Sequence, residues 1–129
     1  MKSFAWRVCR NIIPMKVNLC HRQVIDDNTC EACGSSKETS GHIFWECEAA
    51  CEVWVQSGIS FKAHGVKYNE FVDLVWNLIF FQHVKNDVLE MLFMIAWNMW
   101  HNRNVVRHGS SLQSTTLVVQ KAQVLLDEF

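Results

Sequence analysis

The chain has 129 residues, of which 50% are hydrophobic, and a formal net charge of −1. This length supports one domain, or one domain with a small metal-bound subdomain. The near-neutral charge excludes a strong overall basic field, and one proline with five glycines argues against both a disordered chain and a turn-rich β fold.

Patterns that would direct the chain to a membrane or out of the cell are not evident. The longest apolar run, Met91 to Trp97, is far shorter than the roughly 20 residues that a spanning helix needs. The first 25 residues mix basic and apolar side chains in a layout unlike a secretory signal. We therefore expect an intracellular protein, in the nucleus or cytoplasm, with no membrane partner and with its six cysteines reduced.

Two short helices are predicted at the N-terminus. The first runs from Ser3 to Ile13 and is ended by Pro14, and the second runs from Met15 to Val24. Four apolar side chains of the first helix are available for burial: Phe4, Trp6, Val8 and Ile12. The turn Asp26-Asp27-Asn28 follows the second helix.

This N-terminal segment is basic although the whole chain is nearly neutral. Residues 1–25 contain no acid, and they carry His21 and five cationic residues: Lys2, Arg7, Arg10, Lys16 and Arg22. A local positive face would attract a polyanion such as RNA or DNA. A solvated helix face balanced by acids elsewhere in the fold explains the same charges equally well.

The most specific pattern in the chain is Cys30-x₂-Cys33-x₈-His42-x₄-Cys47. Three thiolates and one imidazole are the ligand set that structural Zn²⁺ prefers, since four such ligands leave no open position for a substrate. The loop at residues 34–41 is small and polar, with little reason to be ordered without the metal. Buried cysteines that bind nothing are the alternative.

The spacing of the last two ligands constrains the local backbone. Ser40 is predicted to cap a helical turn that carries His42. Five residues of a regular α-helix rotate by about 140°, so His42 and Cys47 cannot face one ion from a straight helix. The helix must loosen or end near Glu46, with Cys47 at the start of the next helix, Glu48 to Ser57.

The second half of the chain is also predicted to be helical. Gly58 to Tyr68 is interpreted as a linker. Three helices then follow: one capped by Asn69 and ending near Phe81, one from an Asn86 or Asp87 cap to Gly109, and one from Thr115 to Phe129 after Ser114. Arg103 falls in the last turns of the long helix, where a cation suits the helix dipole. The predicted fold class is all-α: a small helical domain with an inserted CCHC zinc knuckle and a C-terminal set of three helices.

Several motifs, taken in order, identify a related family. They are Phe4-x-Trp6-Arg7, Ile13-Pro14, Leu19-x₂-Arg22, the Cys-Cys-His-Cys pattern and Cys47-x₃-Cys51-x₂-Trp54. This order resembles the zinc-binding domain of plant non-LTR (LINE-type) retrotransposon reverse transcriptases. The segment Ile95-Ala96-Trp97-x₂-Trp100-x₂-Arg103-Asn104 is similar to the helical connector that precedes a ribonuclease H module in the same polyproteins. The resemblance implies a zinc-binding domain over residues 1–58 and a helical connector over 59–129.

Two positions depart from the family pattern near the site. Glu48 stands where the family usually has proline, and Cys51 stands where it usually has a basic residue. Because Cys51 lies one helical turn past Cys47, it is a possible substitute for Cys47 as a ligand. We expect the ligands to be Cys30, Cys33, His42 and Cys47, with Cys51 a packed or spare thiol.

No catalytic machinery is evident, so we expect a protein that is not an enzyme, or a fragment of a reverse transcriptase without its catalytic residues. Asp26-Asp27 follows an apolar pair and mimics a polymerase motif, but only 25 residues precede it and no strand-borne partner carboxylate is available. Cys20 and His21 are adjacent, so on a helix they point about 100° apart and make a poor nucleophile pair. We expect no small-molecule substrate.

Three functions stay open. The first is an accessory module for RNA or DNA, in which Arg7, Arg10, Lys16 and Arg22 contact phosphates and Trp45 contacts bases. Burial tendencies nevertheless favour the core for Trp6 and Trp45. The second is a structural or protein-interaction connector that binds a partner, or a second copy, through apolar faces in residues 71–100. The third is a retroelement relic with no present role.

Overall fold

The computed structural model of the chain describes residues 2–59, 68–107 and 114–128. Within these ranges the chain forms six α-helices and one π-helical turn, and no β-strand. They are α1 (Lys2–Cys9), α2 (Lys16–His21), the π turn (His42–Glu46), α3 (Glu48–Ser57), α4 (Phe71–Phe80), α5 (Asn86–Arg107) and α6 (Thr115–Glu128). The predicted all-α class is confirmed. None of the helices in the described ranges combines the length and the apolar character that a bilayer span requires.

Phe44, in the π turn, lies at the centre of the hydrophobic core and is fully buried. Its ring centroid is 6.0 Å from that of Phe4, 5.1 Å from that of Phe71 and 6.5 Å from that of Trp100. Aromatic pairs of this kind contribute about 0.5–1.5 kcal/mol each beyond the area they bury. The core therefore joins the cysteine-rich segment to α1, α4 and α5.

Helices from both sides of the predicted boundary at residue 58 pack together. α6 packs against α3 and α5, and α1 packs against α4. The side-chain amide of Gln56 in α3 donates a hydrogen bond of 3.0 Å to the hydroxyl of Thr116 in α6. Buried residues from 1–58 and from 59–129 form one hydrophobic cluster. The boundary at residue 58 stays a prediction from the family resemblance. In the structure, the hydrophobic core contains residues from both sides of it.

α1 ends at Cys9 and is shorter than predicted. Its end is set by Asn11, which has a φ of 54°, a left-handed conformation that stops helices. The side-chain amide of Asn18 donates to the carbonyl oxygens of Asn11, at 3.2 Å, and Ile13, at 2.8 Å. These bonds hold the chain after the helix in place, while the N–H groups of Asn11 and Ile12 donate to carbonyl oxygens in the last turn of α1, at 3.1 and 3.0 Å. Asn11, rather than Pro14, therefore terminates the helix.

The other helix bounds follow the predictions more closely. α2 also ends early, at His21 rather than Val24, because Gln23 takes a left-handed φ of 59°. Ser114 caps α6 as predicted, since its hydroxyl accepts the N–H of Leu117 at 3.2 Å. Three predictions fall outside the described residues: the linker over 60–67, the end of the long helix at Gly109 and the last residue, Phe129.

Two predicted helix caps are wrong, because one of the capping residues makes its hydrogen bond to a distant part of the chain. Thr39, not Ser40, caps the π turn, because its hydroxyl accepts the N–H of His42 at 3.0 Å. The hydroxyl of Ser40 instead accepts the N–H of Phe71 at 2.8 Å. Ser40 thus supplies the cap of α4 that was predicted at Asn69. A residue 31 positions away in the chain performs the task of a local cap.

Gly41 allows the π turn to approach the start of α4 closely. Its N–H donates to the carbonyl oxygen of Asn69 at 3.2 Å. A Cβ atom at Gly41 would lie 1.6 Å from the carbonyl oxygen of Tyr68, which no backbone adjustment of normal size relieves. Glycine is therefore required here by contact, and together with Ser40 it fixes α4 to the segment that carries His42.

Candidate metal centre

Cys30 and Cys33 lie in a tight turn closed by an isolated antiparallel bridge between Thr29 and Lys37. The N–H of Gly34 donates to the carbonyl oxygen of Cys30 at 2.8 Å. Gly34 has a φ of 70°, a conformation that glycine adopts without strain. The turn, which we call the knuckle (residues 29–37), therefore holds two thiols side by side.

His42 and Cys47 are brought to the same side by the π turn. The N–H of Cys47 donates to the carbonyl oxygen of His42 at 2.7 Å, which is the hydrogen-bond pattern of a π-helix. This turn is wider than an α-helical turn, so residues five apart lie on one face instead of being rotated by about 140°. The predicted loosening near Glu46 thus takes the form of a π turn, and α3 begins directly after Cys47.

The structure brings the four predicted ligand residues together. The ligand atoms of Cys30, Cys33, His42 and Cys47 all lie within 4.8 Å of one another. Sγ of Cys30 is 3.9 Å from Sγ of Cys47, and Sγ of Cys33 is 3.4 Å from Nε2 of His42. A tetrahedral ion with bonds of about 2.3 Å to sulfur and 2.0 Å to nitrogen separates its ligands by roughly 3.5–3.8 Å. The donor set and its spacing therefore fit a metal that prefers soft ligands.

The three thiols of the site differ in proton affinity. A hydrogen bond to Cys47, together with burial, raises the pKa of the Cys30 thiol to about 12. The same hydrogen bond is the main cause that lowers the pKa of Cys47. The backbone N–H groups of Ser35 and Ser36 lower the pKa of Cys33 to about 7. At neutral pH, Cys30 therefore holds a proton that a metal must displace, while Cys33 is close to half ionised.

Metal affinity is expected to rise steeply with pH. Thiols bind metals as thiolates, so binding displaces the proton of Cys30 at any pH below about 12. Below about pH 7 it also displaces the proton of Cys33. The logarithm of the apparent affinity should therefore rise by at least one per pH unit above neutrality, and more steeply below about pH 7, where the proton of Cys33 is displaced as well. Competition with a chromophoric chelator at several pH values measures these slopes, and a slope near zero would contradict thiolate ligation.

Cys51, the predicted substitute ligand, lies outside this group of four. It is exposed, and its thiol faces the carbonyl oxygens of Trp45, at 3.6 Å, and Glu46, at 3.8 Å. Its N–H donates to the carbonyl oxygen of Cys47 at 2.9 Å, in the first turn of α3. The structure thus places Cys51 beside the site as a surface thiol.

A buried carboxylate, which sequence patterns did not single out, supports the site. Glu38 is 2% exposed and lies just after the knuckle. Its two oxygens accept hydrogen bonds from the guanidinium of Arg103 in α5, one of them from Nε at 3.2 Å. One oxygen also accepts the N–H of Lys16 at 2.8 Å. The guanidinium lies 4.6 Å from the ring centroid of Trp100. One carboxylate therefore holds α2, the knuckle and α5 together.

Lys16 belongs to this support rather than to an exposed surface. The residue is 6% exposed, its Nζ donates to the carbonyl oxygen of Thr29 at 2.7 Å, and it lies 3.3 Å from the carboxylate of Glu31. A buried ammonium that donates to protein acceptors is not free to meet a phosphate. The prediction that Lys16 contacts nucleic acid is therefore not supported by its position.

The other predicted nucleic-acid residues fall into two environments. Arg7, Arg10 and Arg22 are exposed. Trp45 is half-buried, and its ring centroid is 6.1 Å from that of Trp54. The indole N–H of Trp54 donates to a buried backbone carbonyl at 2.7 Å, which holds this pair at the edge of the core. The arginines therefore lie on the surface, whereas Trp45 packs largely as a core residue.

The prediction that the first helix buries Trp6 and Ile12 is wrong. Trp6 is 57% exposed and Ile12 is 41% exposed, although both were expected to be buried. Phe4 and Val8, four residues apart, occupy the buried face of α1. Trp6 lies two residues from each, so it is rotated by about 200° to the opposite face.

Residues 1–54 match the profile of a family described as zinc-binding in reverse transcriptase. The matched segment contains all four residues of the metal site. The chain matches no curated protein and no solved structure. The N-terminal part of the chain is therefore similar to the zinc-binding region of reverse transcriptases, and α4, α5 and α6 lie beyond the matched segment.

Proposed function

We propose that the chain is a non-catalytic module in which Zn²⁺ holds a helical domain together and an exposed basic surface binds RNA or DNA. The observation that carries this proposal is the positive charge of residues 1–25, which contain no acid. Arg7, Arg10 and Arg22 point their charges to the surface, while Lys16 is used inside the protein. The similarity of residues 1–54 to a region of reverse transcriptases, which act on nucleic acid, supports the same function.

Zinc is the proposed ion because of the chemistry of the donors. Cys30, Cys33 and Cys47 offer three sulfurs and His42 offers one nitrogen, a set typical of structural zinc sites. The bound ion would cross-link the knuckle to the π turn. Four protein ligands leave no position for a substrate or an activated water, which supports a structural role rather than a catalytic one.

The proposed contacts to nucleic acid are ionic. Arg7 and Arg10 lie on or just after α1, and Arg22 follows the last residue of α2. A guanidinium group can donate two parallel hydrogen bonds to one phosphate. Each phosphate contact on duplex DNA contributes about −0.9 to the slope of log affinity against log salt. Three contacts therefore predict a loss of about 40-fold between about 50 and 200 mM salt.

The zinc-loaded protein is expected to bind labelled RNA or DNA with this salt dependence, measured by fluorescence anisotropy. Arg7→Ala and Arg22→Ala should each weaken binding and reduce the salt slope by about one. Lys121→Ala removes the same charge from an exposed position on α6 and should leave the slope unchanged. Absence of binding, or an equal effect of the Lys121 variant, would contradict the proposal.

A protein partner, or a second copy of the chain, is the alternative, and the outer face of α4 favours it. Trp76 is 57% exposed, Phe80 is 54% exposed and Phe81 is 78% exposed. The rings of Trp76 and Phe80 are stacked with centroids 4.3 Å apart. Much of the apolar face over 89–100 is buried in the core, so the free part of the predicted surface at 71–100 is on α4. Exposed aromatic clusters of this kind mark interaction sites.

The two functions respond differently to salt. Association through the aromatic face of α4 should depend on protein concentration and little on salt, as sedimentation velocity would show. Trp76→Ser should reduce that association and leave nucleic-acid binding intact.

We also propose an evolutionary origin for the chain. The motif order up to Arg103 supports descent from a plant LINE-type retrotransposon polyprotein, in which residues 59–129 connect the zinc-binding region to a ribonuclease H module. A protein that bound neither metal nor nucleic acid nor itself would instead be a relic without a present role.

A further inference from the structure

The outer face of α1 combines one aromatic ring with two guanidinium groups. Ser3, Trp6, Arg7 and Arg10 are exposed at the spacing of one helical face, opposite the buried Phe4 and Val8. The indole of Trp6 is 57% exposed, which is unusual for so large an apolar group. The face therefore presents an aromatic surface within a positively charged setting.

Arg10 packs against the ring of Trp6 on this surface. Its guanidinium carbon lies 5.3 Å from the ring centroid of Trp6, within the range of a cation–π contact. The contact links Trp6 to a residue one helical turn away, so it restrains both side chains before any ligand arrives. A restrained ring binds a flat ligand with less loss of rotamer freedom than a mobile one.

We propose that this face is a stacking site for single-stranded nucleic acid, in which the indole of Trp6 stacks on an unpaired base while Arg7 and Arg10 contact the flanking phosphates. The inference rests on the proposed function and specifies its ligand. Single strands expose the faces of their bases, whereas a duplex hides them in its own stack. Stacking on an aromatic side chain accepts any base, so little sequence preference is expected.

The exposed tryptophans of α1 and α4 have different surroundings, which favour different ligands. Both helices expose a tryptophan to the same extent, 57%. Trp76 stacks on the ring of Phe80 next to the exposed Phe81, an environment suited to an apolar partner. Trp6 instead stacks with a cation, in a segment without acids, an environment suited to a polyanion with flat bases.

The test compares an unstructured single strand, such as oligo(U) or oligo(dT), with a blunt-ended duplex whose strands have the same number of nucleotides. The zinc-loaded chain of 129 residues should bind the single strand more tightly. Trp6→Leu should weaken single-strand binding by about 5- to 150-fold, the range found for one base–aromatic stack, and leave duplex binding unchanged. Trp6→Phe should restore most of the loss, because phenylalanine also stacks.

Trp76→Leu is the matched control, since it removes an equally exposed indole and should change neither affinity. Metal content and circular dichroism verify that each variant is folded. Single-strand binding that depends on Arg7 but is unaffected by Trp6→Leu would overturn the stacking site and leave the proposed function in place. Equal weakening of single-strand and duplex binding by Trp6→Leu would also overturn it. Binding to neither probe would overturn the proposed function and the stacking site together.

Discussion

Removal of the metal is expected to unfold the cysteine-rich segment and to weaken the whole core. Structural zinc contributes about 10–16 kcal/mol in finger peptides at neutral pH, against a total stability of about 5–15 kcal/mol for a typical domain. Residues 25–57 should lose amide protection on chelation, and α4 and α5 should lose part of theirs because Phe44 packs on Phe71 and Trp100. Hydrogen exchange with and without chelator measures both effects.

Serine variants provide the matched control for this experiment. Cys30→Ser removes a buried residue of the four-ligand group, whereas Cys51→Ser removes an exposed thiol one turn from it. Elemental analysis should find one zinc per chain in the wild type and in Cys51→Ser, and none in Cys30→Ser. Unchanged exchange over residues 25–57 after chelation would show that the metal does not support the fold. Loss of zinc in Cys51→Ser would identify Cys51 as a ligand.

Glu38→Gln is expected to lower the free energy of unfolding of the zinc-loaded protein by about 3–5 kcal/mol. The substitution removes the charge that compensates Arg103, whose side chain is only 12% exposed. An uncompensated charge in such a place is costly, because little water is available to solvate it. Urea denaturation followed by circular dichroism gives the difference.

Two further variants compare the buried pair with a pair that has one exposed partner. Glu31→Gln removes a carboxylate that is 47% exposed and lies 3.3 Å from Lys16. The ammonium of Lys16 keeps the carbonyl oxygen of Thr29 at 2.7 Å and the carboxylate of Asp27 at 4.0 Å, so the substitution should cost no more than about 1 kcal/mol. The double variant Glu38→Leu with Arg103→Met removes both charges and should recover much of the loss, since no charge is then left unpaired. If Glu38→Gln costs no more than Glu31→Gln, the carboxylate does not hold the elements together as described.

The local chemistry of the site could be predicted from the sequence, whereas its support could not. The spacing of Cys30, Cys33, His42 and Cys47 predicts that these four side chains form one site, because they lie close together in the chain. Even the distortion between His42 and Cys47 follows from helix geometry. Glu38 and Arg103 are 65 positions apart, and Ser40 and Phe71 are 31 apart. Such pairs depend on how the helices pack, which one sequence does not reveal.

Trp6 shows a different kind of error. Its apolar character favoured burial, but the helix period assigns Phe4 and Val8 to one face and Trp6 to the other. The period gives the arrangement found in the structure, in which Trp6 is 57% exposed. Residue type was therefore a weaker guide than position on the helix, and the conflict between the two marked the residue that we assign to ligand binding.

The shared core has a consequence for inheritance. Glu38 and Ser40 lie within the segment that matches a family, yet their partners Arg103 and Phe71 lie beyond it. A recombination event with a breakpoint between residues 54 and 71 would pair a buried carboxylate with a foreign helix and separate the hydroxyl cap from its amide. The four metal ligands would survive such an exchange, but the protein around them would not fold as well. Lineages that carry this module should therefore transmit both segments as one block, with residues 38 and 103 changing together.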